Sequence, residues 1–241
     1  MANDIVQGLS HFSDFFTDYK DDYIVIGGVA TALHLKRYGA TSIRATLDID
    51  LIVLDDQKNS TFVDRMVEYV KTVSYQHCGI YKEETRILYQ FKDPVIKDAP
   101  EQIELFTIDE IKDEKLTFIR LEGSEYYFYI SAIVLNSDYR ELIDQFKLDH
   151  HNLSIAAPEV LIPLKALAYV NLGKEGTKRA LREQKKHLDD IKRLIEYVEE
   201  EKIEVSEKIY NDLTTVLGEV KKIRGREELA DNALKVYVKK A

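Results

Sequence analysis

Short hydrophobic blocks separated by polar segments dominate the first 155 residues. Blocks rich in β-branched and aromatic residues predict strands. The predicted strands are Tyr23–Ile26, Leu47–Leu54, Arg86–Phe91, Gln102–Thr107, Lys115–Leu121 and Tyr126–Leu135. Helical periodicity over Val29–Arg37 and Ser60–Val73 separates some of them, and residues 122–125 predict a hairpin turn. This alternation predicts an α/β domain with a mixed sheet.

The periodicity becomes helical after residue 155. Pro158 suits the first turn of a helix, where its missing N–H is harmless. Further helices are predicted over 177–200, 205–221 and 226–240, with a break at Gly225. We therefore predict an α/β domain over residues 1–155 and an all-helical domain over residues 156–241.

The amino-acid composition indicates the cellular compartment in which the protein works. The chain has 241 residues, 45% of them hydrophobic, which is ordinary for a globular protein. Cys78 is the single cysteine and cannot form an internal disulfide, which is typical of a reducing compartment. No apolar stretch approaches the roughly 20 residues of a membrane helix, and the N-terminus lacks a signal-peptide pattern. We expect a soluble, cytoplasmic protein that does not associate with a membrane.

Charge is distributed unevenly along the chain. The net charge of −9 argues against general nucleic-acid coating. Between Lys174 and Arg193, however, eight basic residues accompany four acidic ones, which leaves a local charge of +4. This segment is either a binding surface for an anionic partner or an ordinary solvated helix face.

The segment from residue 24 to residue 54 carries the candidate chemistry. Gly27 and Gly28 form a turn between a strand and a helix, where backbone N–H groups can approach an anion. Side chains alternate along a strand, so Asp48 and Asp50 share a face opposite Ile49. Two such carboxylates repel each other unless a cation joins them, and Mg²⁺ takes carboxylates together with substrate phosphates. The alternative is that both acids face water at a sheet edge.

A dinucleotide-binding site is excluded by the same segment. Its fingerprint requires G-x-G-x-x-G, whereas residues 27–32 read GGVATA. The acid of that fingerprint also ends the second strand, whereas Asp48 begins this one.

A third carboxylate would complete a two-metal site. Glu104 is an acid within an apolar strand, which is costly without a partner. The alternatives lie among turn residues: Asp93, Asp98, Glu101 and Asp109.

The pattern GG-x-A-x-x-x-H at 27–34, R-x-T-x-D-I-D-L at 44–51 and a later acidic strand resembles the nucleotidyltransferase superfamily. The closer likeness is to the AbiEii-like abortive-infection toxin type, found in toxin–antitoxin systems. The resemblance covers the core of the first domain and the start of the second. One departure is Gly28, where many members have serine.

The resemblance implies roles for particular residues. Asp48, Asp50 and Glu104 would be catalytic and hold two Mg²⁺ ions. The residues implied in nucleotide binding are Gly27, Gly28, Arg44, Thr46, Lys165 and Asp190. His187 replaces the usual acid of a later signature that ends at Asp190, and His34 is expected to be structural.

The implied reaction is transfer of a nucleoside monophosphate from an NTP, such as ATP, to an acceptor hydroxyl. The toxin type implies an RNA 3′ end, such as that of tRNA. We expect RNA to be held by Lys178, Arg179, Arg182 and Lys185. Two alternatives remain open: a catalytically silent nucleotide-binding module, and a nucleotidyltransferase that modifies small molecules or proteins.

Overall fold

The computed structural model describes residues 6–54, 61–82, 85–107, 118–119, 128–130, 133–134, 137–200 and 202–240. The chain divides into two compact units. The first contains residues 1–32, 44–137 and 147–155, and the second contains 33–43, 138–146 and 156–241. Segments 33–43 and 138–146 therefore group with the residues from 156 onward.

A mixed sheet forms the first unit, in agreement with the predicted fold class. Its strands are β1 (Tyr23–Ile26), β2 (Asp48–Val53), β3 (Tyr75–Lys82), β4 (Thr85–Pro94), β5 (Gln102–Thr107), β6 (Phe118–Ile119), β7 (Phe128–Ile130), β8 (Ile133–Val134), β9 (Lys147–His150) and β10 (Leu153–Ala156). They follow the order β6-β7-β4-β5-β2-β1-β10-β9, with β3 paired to β4 and β8 paired to β5. Strand β2 is antiparallel to β1 and parallel to β5, which makes the centre of the sheet mixed.

One face of this sheet is apolar and covered. Ile49 and Leu51 of β2 are fully buried, as are Phe91 of β4 and Ile103 of β5. Helices α1 (Leu9–Phe15) and α3 (Thr61–Val73) cover this face. The contact is aromatic: the ring of Tyr23 on β1 lies 5.4 Å from that of Phe62 and 5.7 Å from that of Phe12. Because this face is closed, polar side chains of the central strands must lie on the other face.

The second unit is helical apart from two short strands. Helix α2 (Gly27–Arg37) begins in the first unit and ends in the second. The other helices are α4 (Arg140–Gln145), α5 (Pro158–Glu175), α6 (Lys178–Leu194), α7 (Glu207–Lys221) and α8 (Glu227–Val236). Strands β11 (Ile203–Val205) and β12 (Tyr237–Lys239) pair in parallel, so the expected helix over 226–240 was too long. No helix in the described ranges is long and apolar enough to cross a bilayer.

Tyr23 generates a prediction about alkaline stability. Its hydroxyl is buried and makes no hydrogen bond within the described part of the chain, and burial raises its pKa well above 10. An unfolded tyrosine ionises near pH 10 and the buried one does not, so stability should fall as pH rises above 10. Replacement Tyr23→Phe should reduce this fall by about 1.4 kcal/mol per pH unit, as measured by urea unfolding between pH 8 and 11. Tyr19→Phe, at a partly exposed tyrosine, is the control; an identical pH slope in Tyr23→Phe and wild type would contradict the prediction.

Candidate active site

Asp48 and Asp50 lie together on the face of β2 opposite Ile49 and Leu51. Both are partly exposed, whereas Ile49 and Leu51 between and beyond them are buried on the covered face. The strand begins at Asp48, one residue later than expected, and Leu47 before it is 57% exposed. The alternation of β2 therefore directs the two carboxylates to the same side of the sheet.

Glu104 is the acid that the sheet brings beside them. Strand β5 pairs with β2 in register, with Asp48 opposite Gln102 and Asp50 opposite Glu104. Paired residues of neighbouring strands project to the same face, with backbones about 5 Å apart. The other candidates do not share this position: Asp93 bonds to His77, Asp98 and Glu101 precede β5, and Asp109 lies outside the described residues.

Two glutamines hold the Glu104 carboxylate. Gln102 Nε2 donates to Glu104 Oε1 at 2.7 Å, and Gln90 Nε2, from the facing position on β4, donates to the same oxygen. Neither amide contacts Oε2. The sequence alone gave neither glutamine a role, although the spacing of Gln102 two residues before Glu104 indicates that the two share a face.

The glycine turn packs directly against the acidic strand. Gly27 has a φ of +66°, and a Cβ there would overlap Oδ2 of Asp50. A Cβ on Gly28 would lie 2.6 Å from Oγ1 of Thr46. Glycine is therefore required at position 27 by backbone conformation and by the approach of Asp50. Thr46 places a hydroxyl beside the position where a side chain at residue 28 would begin.

The remaining predicted nucleotide-binding residues fall into two groups. Arg44 is exposed in the irregular segment before β2. Lys165 of α5 and Asp190 of α6 belong to the second unit, where the Lys165 ammonium donates to Asp190 Oδ2 at 2.7 Å. Both side chains of this pair are about 95% buried, so the ion pair offsets part of the cost of burying two charges.

His34 is buried, and its Nε2 lies 2.8 Å from the carbonyl oxygen of Ala156.

The basic residues of α6 also divide into two sets. Lys186 pairs with Glu183, Lys192 pairs with Asp189, and Arg193 donates to the carbonyl oxygen of Ser42. The four residues expected to hold RNA are all exposed and form no ion pair within the described ranges: Lys178, Arg179, Arg182 and Lys185. Three of these four recur at the i, i+4, i+7 spacing that lines one side of a helix.

The acidic residues of β2 and β5 are oxygen donors of the kind that Mg²⁺ binds. Among the described residues, no three Asp, Glu, His or Cys side chains converge as a ready-made metal cluster. Mg²⁺ does not require one, because it is usually held by one or two carboxylates together with phosphates and water. Asp48 and Asp50, two hard oxygen donors on one face beside a glycine turn, fit that requirement. Glu104 adds a third carboxylate whose Oε1 is engaged by amides.

No protein-family model matches the chain, and no curated protein matches its sequence. Two solved structures are similar. An antigenic nucleotidyltransferase-like protein from Paracoccidioides brasiliensis is 16% identical, with a TM-score of 0.49, and the alignment covers 97% of this chain and 96% of that one. The Megavirus polyadenylate synthase is 11% identical, with a TM-score of 0.39, over 88% of this chain and 36% of that one. Similarity at these levels assigns no activity to this chain.

The contact between Gly28 and Thr46 predicts coupled stability effects. Gly28→Ala should destabilise the first unit because the added methyl meets the threonine hydroxyl, and it should cost less in a Thr46→Ala background. The expected coupling is on the order of 1 kcal/mol in a double-mutant cycle measured by urea unfolding. Gly218→Ala on α7, where a Cβ meets open space, is the control and should not destabilise. Strictly additive losses at positions 28 and 46 would show that the contact carries no energy.

Proposed function

We propose that this protein is a Mg²⁺-dependent nucleotidyltransferase that moves a nucleoside monophosphate from an NTP to an acceptor hydroxyl. The observation that carries the proposal is the register of β2 with β5, which aligns Asp50 with Glu104 and leaves Asp48 on the same face. The packing of Gly27 against Asp50 adds a turn of backbone N–H groups beside these acids. Carboxylates next to a phosphate-binding turn are suited to phosphoryl chemistry.

The proposed reaction is a single displacement at the α-phosphorus. The acceptor oxygen forms a bond to that phosphorus, the bond to the pyrophosphate oxygen breaks, and the hydroxyl proton leaves to a base. Glu104 is assigned as the base through Oε2, because both glutamine amides contact Oε1. Asp48 and Asp50 would hold Mg²⁺, which when bound neutralises phosphate charge. The backbone at Gly27 and Gly28 would contact the phosphates.

A nucleotide-binding module without transferase activity is the second candidate. The observation in its favour is the engagement of Glu104 by two amides, in the absence of a three-carboxylate cluster among the described residues. The two candidate functions share the same ligand and differ in whether a reaction follows binding. Both bind an NTP with Mg²⁺, but only the enzyme releases pyrophosphate and labels an acceptor.

The acceptor that we propose is RNA, held by the exposed cations of α6. Lys178, Arg179, Arg182 and Lys185 are not neutralised by ion pairs within the described ranges, unlike Lys186 and Lys192. Exposed cations along one helix can contact successive phosphates of a strand. The expected involvement of Lys165 and Asp190 with the triphosphate stays a prediction, since the two charges already neutralise each other.

The central prediction concerns the acids. Asp48→Asn and Asp50→Asn should each reduce Mg²⁺-dependent transfer by about 10²-fold or more, because each removes an anionic ligand. Glu104→Gln should retain NTP binding but lose turnover, because the hydroxyl proton has no acceptor. The assay is transfer of label from each α-labelled NTP to total RNA, with pyrophosphate release measured in parallel.

Asp64→Asn is the matched control, since Asp64 is an exposed carboxylate on α3 over the opposite face. It should leave transfer unchanged. If both Asp48→Asn and Asp50→Asn fold and keep their transfer activity, the assignment of these two residues as metal ligands is wrong. NTP binding with no pyrophosphate release from the wild type would favour the silent module.

The RNA proposal predicts a salt dependence. If four phosphates are contacted, the slope of log K against log salt should be about −3, a roughly 50-fold loss between 50 and 200 mM salt. Combined replacement of Lys178, Arg179, Arg182 and Lys185 by Ala should flatten this slope, as measured by fluorescence anisotropy with single-stranded RNA. The control is combined Lys221→Ala and Lys222→Ala on or beside α7, where both lysines form exposed ion pairs. An unchanged slope in the fourfold variant would indicate a small-molecule or protein acceptor.

A further inference from the structure

The order of strands fixes the direction from which an acceptor must approach. That direction holds only if the protein catalyses the proposed transfer. The glycine turn follows β1, which flanks β2 on one side, and β5 flanks it on the other. In an in-line displacement the attacking oxygen and the leaving pyrophosphate lie on opposite sides of the phosphorus. If the glycine turn holds the leaving phosphates, the acceptor lies over β5 and the strands beyond it.

A row of polar residues extends in that direction. Gln102 of β5 pairs with Asp48 on one side and with Lys92 of β4 on the other. Lys92 in turn pairs with His77 of β3. Phe91, next to Lys92, is fully buried on the covered face, so Lys92 lies on the same face of the sheet as the acids. We refer to Gln102, Lys92 and His77 as the lateral row.

Lys92 supplies the permanent positive charge of the lateral row. The residue is half-buried, and within the described ranges its ammonium forms no ion pair or hydrogen bond. The adjacent acid, Asp93, is engaged by His77, whose Nδ1 lies 2.5 Å from Asp93 Oδ2. Across Gln102, the Lys92 backbone lies two strand spacings, about 10 Å, from that of Asp48. A lysine stem covers part of that distance and carries a point charge suited to phosphate.

We propose that Lys92 binds a phosphate of the acceptor, namely the phosphodiester adjacent to the attacking hydroxyl. Lys92 is half-buried, carries a positive charge and pairs across the sheet with Gln102, a combination suited to an anion. Its position beyond β5 places that anion on the acceptor side of the acids. Lys92 belongs to the first unit, whereas the exposed cations of α6 belong to the second. Lys92 is thus an acceptor-binding residue that favours a polynucleotide 3′ end over an uncharged hydroxyl compound.

The test uses one chemical change in the acceptor and one in the protein. Wild type and Lys92→Ala are assayed with a short oligoribonucleotide and with the same oligonucleotide carrying a neutral methylphosphonate at its last linkage. For the wild type, the methylphosphonate should lower acceptor kcat/KM by about 10- to 100-fold, mainly through KM. Lys92→Ala should cause a similar loss with the normal acceptor and show little further loss with the neutral one. Lys92→Arg should restore most of the activity.

Lys71→Ala is the control, because Lys71 is an exposed lysine on α3 over the covered face. It should respond to the methylphosphonate as the wild type does, and thermal unfolding confirms that each variant folds. The assignment of Lys92 would be overturned if the losses in kcat/KM from Lys92→Ala and from the methylphosphonate multiplied when combined. Wild-type kinetics in Lys92→Ala would overturn it as well. Transfer by the wild type only to uncharged small molecules would also overturn it. Absence of Mg²⁺-dependent transfer by the wild type to any acceptor would instead overturn the proposed function.

Discussion

Burial of Ile49 and Leu51 determines the direction in which Asp48 and Asp50 project. These two side chains pack on the face that α1 and α3 cover, so Asp48 and Asp50, which alternate with them along the strand, lie on the other face. A slip of one residue would bury both carboxylates and expose the apolar side chains, which is costly on both counts. The same constraint acts on β5, where buried Ile103 and Leu105 flank Glu104. Because β2 and β5 pair in register, Asp50 then lies beside Glu104.

The glycine turn adds the second constraint on the acids. Asp50 approaches Gly27 so closely that a methyl group would not fit, and the positive φ of Gly27 is one that glycine adopts without cost. The polar face thus carries the acids, a turn of backbone donors on one side, and Gln102 with Lys92 on the other. The strand order keeps the backbone N–H groups of this turn apart from the glutamine amides that donate to Glu104. This separation gives the proposed transfer a direction across the sheet.

Much of this unit follows from local patterns in the sequence. The limits of β1 and β5 match the prediction to the residue, because β1 is a short apolar run and β5 alternates apolar with polar side chains. The side of β2 on which the acids lie follows from the period of a strand. Strand β3 was missed, since the segment around His77 and Cys78 does not alternate, and its pairing with β4 contains a register shift. Strands β11 and β12 were missed because three residues are too few to interrupt a helical pattern.

The partners of Glu104 depend on information that local patterns do not carry. Gln90 and Lys92 reach the site only through the register of β4 with β5, which long-range packing fixes. The Lys165–Asp190 ion pair likewise depends on how α5 packs against α6. The resemblance to the nucleotidyltransferase superfamily indicated both residues but not their contact. Residues on one strand are therefore predictable as a set, whereas contacts between strands or helices require the folded structure.

The most direct measurement is the anomalous scattering of Mn²⁺ in crystals that also contain an α,β-methylene NTP analogue. Mn²⁺ replaces Mg²⁺ at carboxylate sites and can be located without ambiguity. The account predicts an ion bound at about 2.0–2.2 Å by oxygens of Asp48 and Asp50, with the analogue phosphates next to Gly27 and Gly28. An analogue bound elsewhere, or an ion that does not contact Asp48 and Asp50, would contradict it.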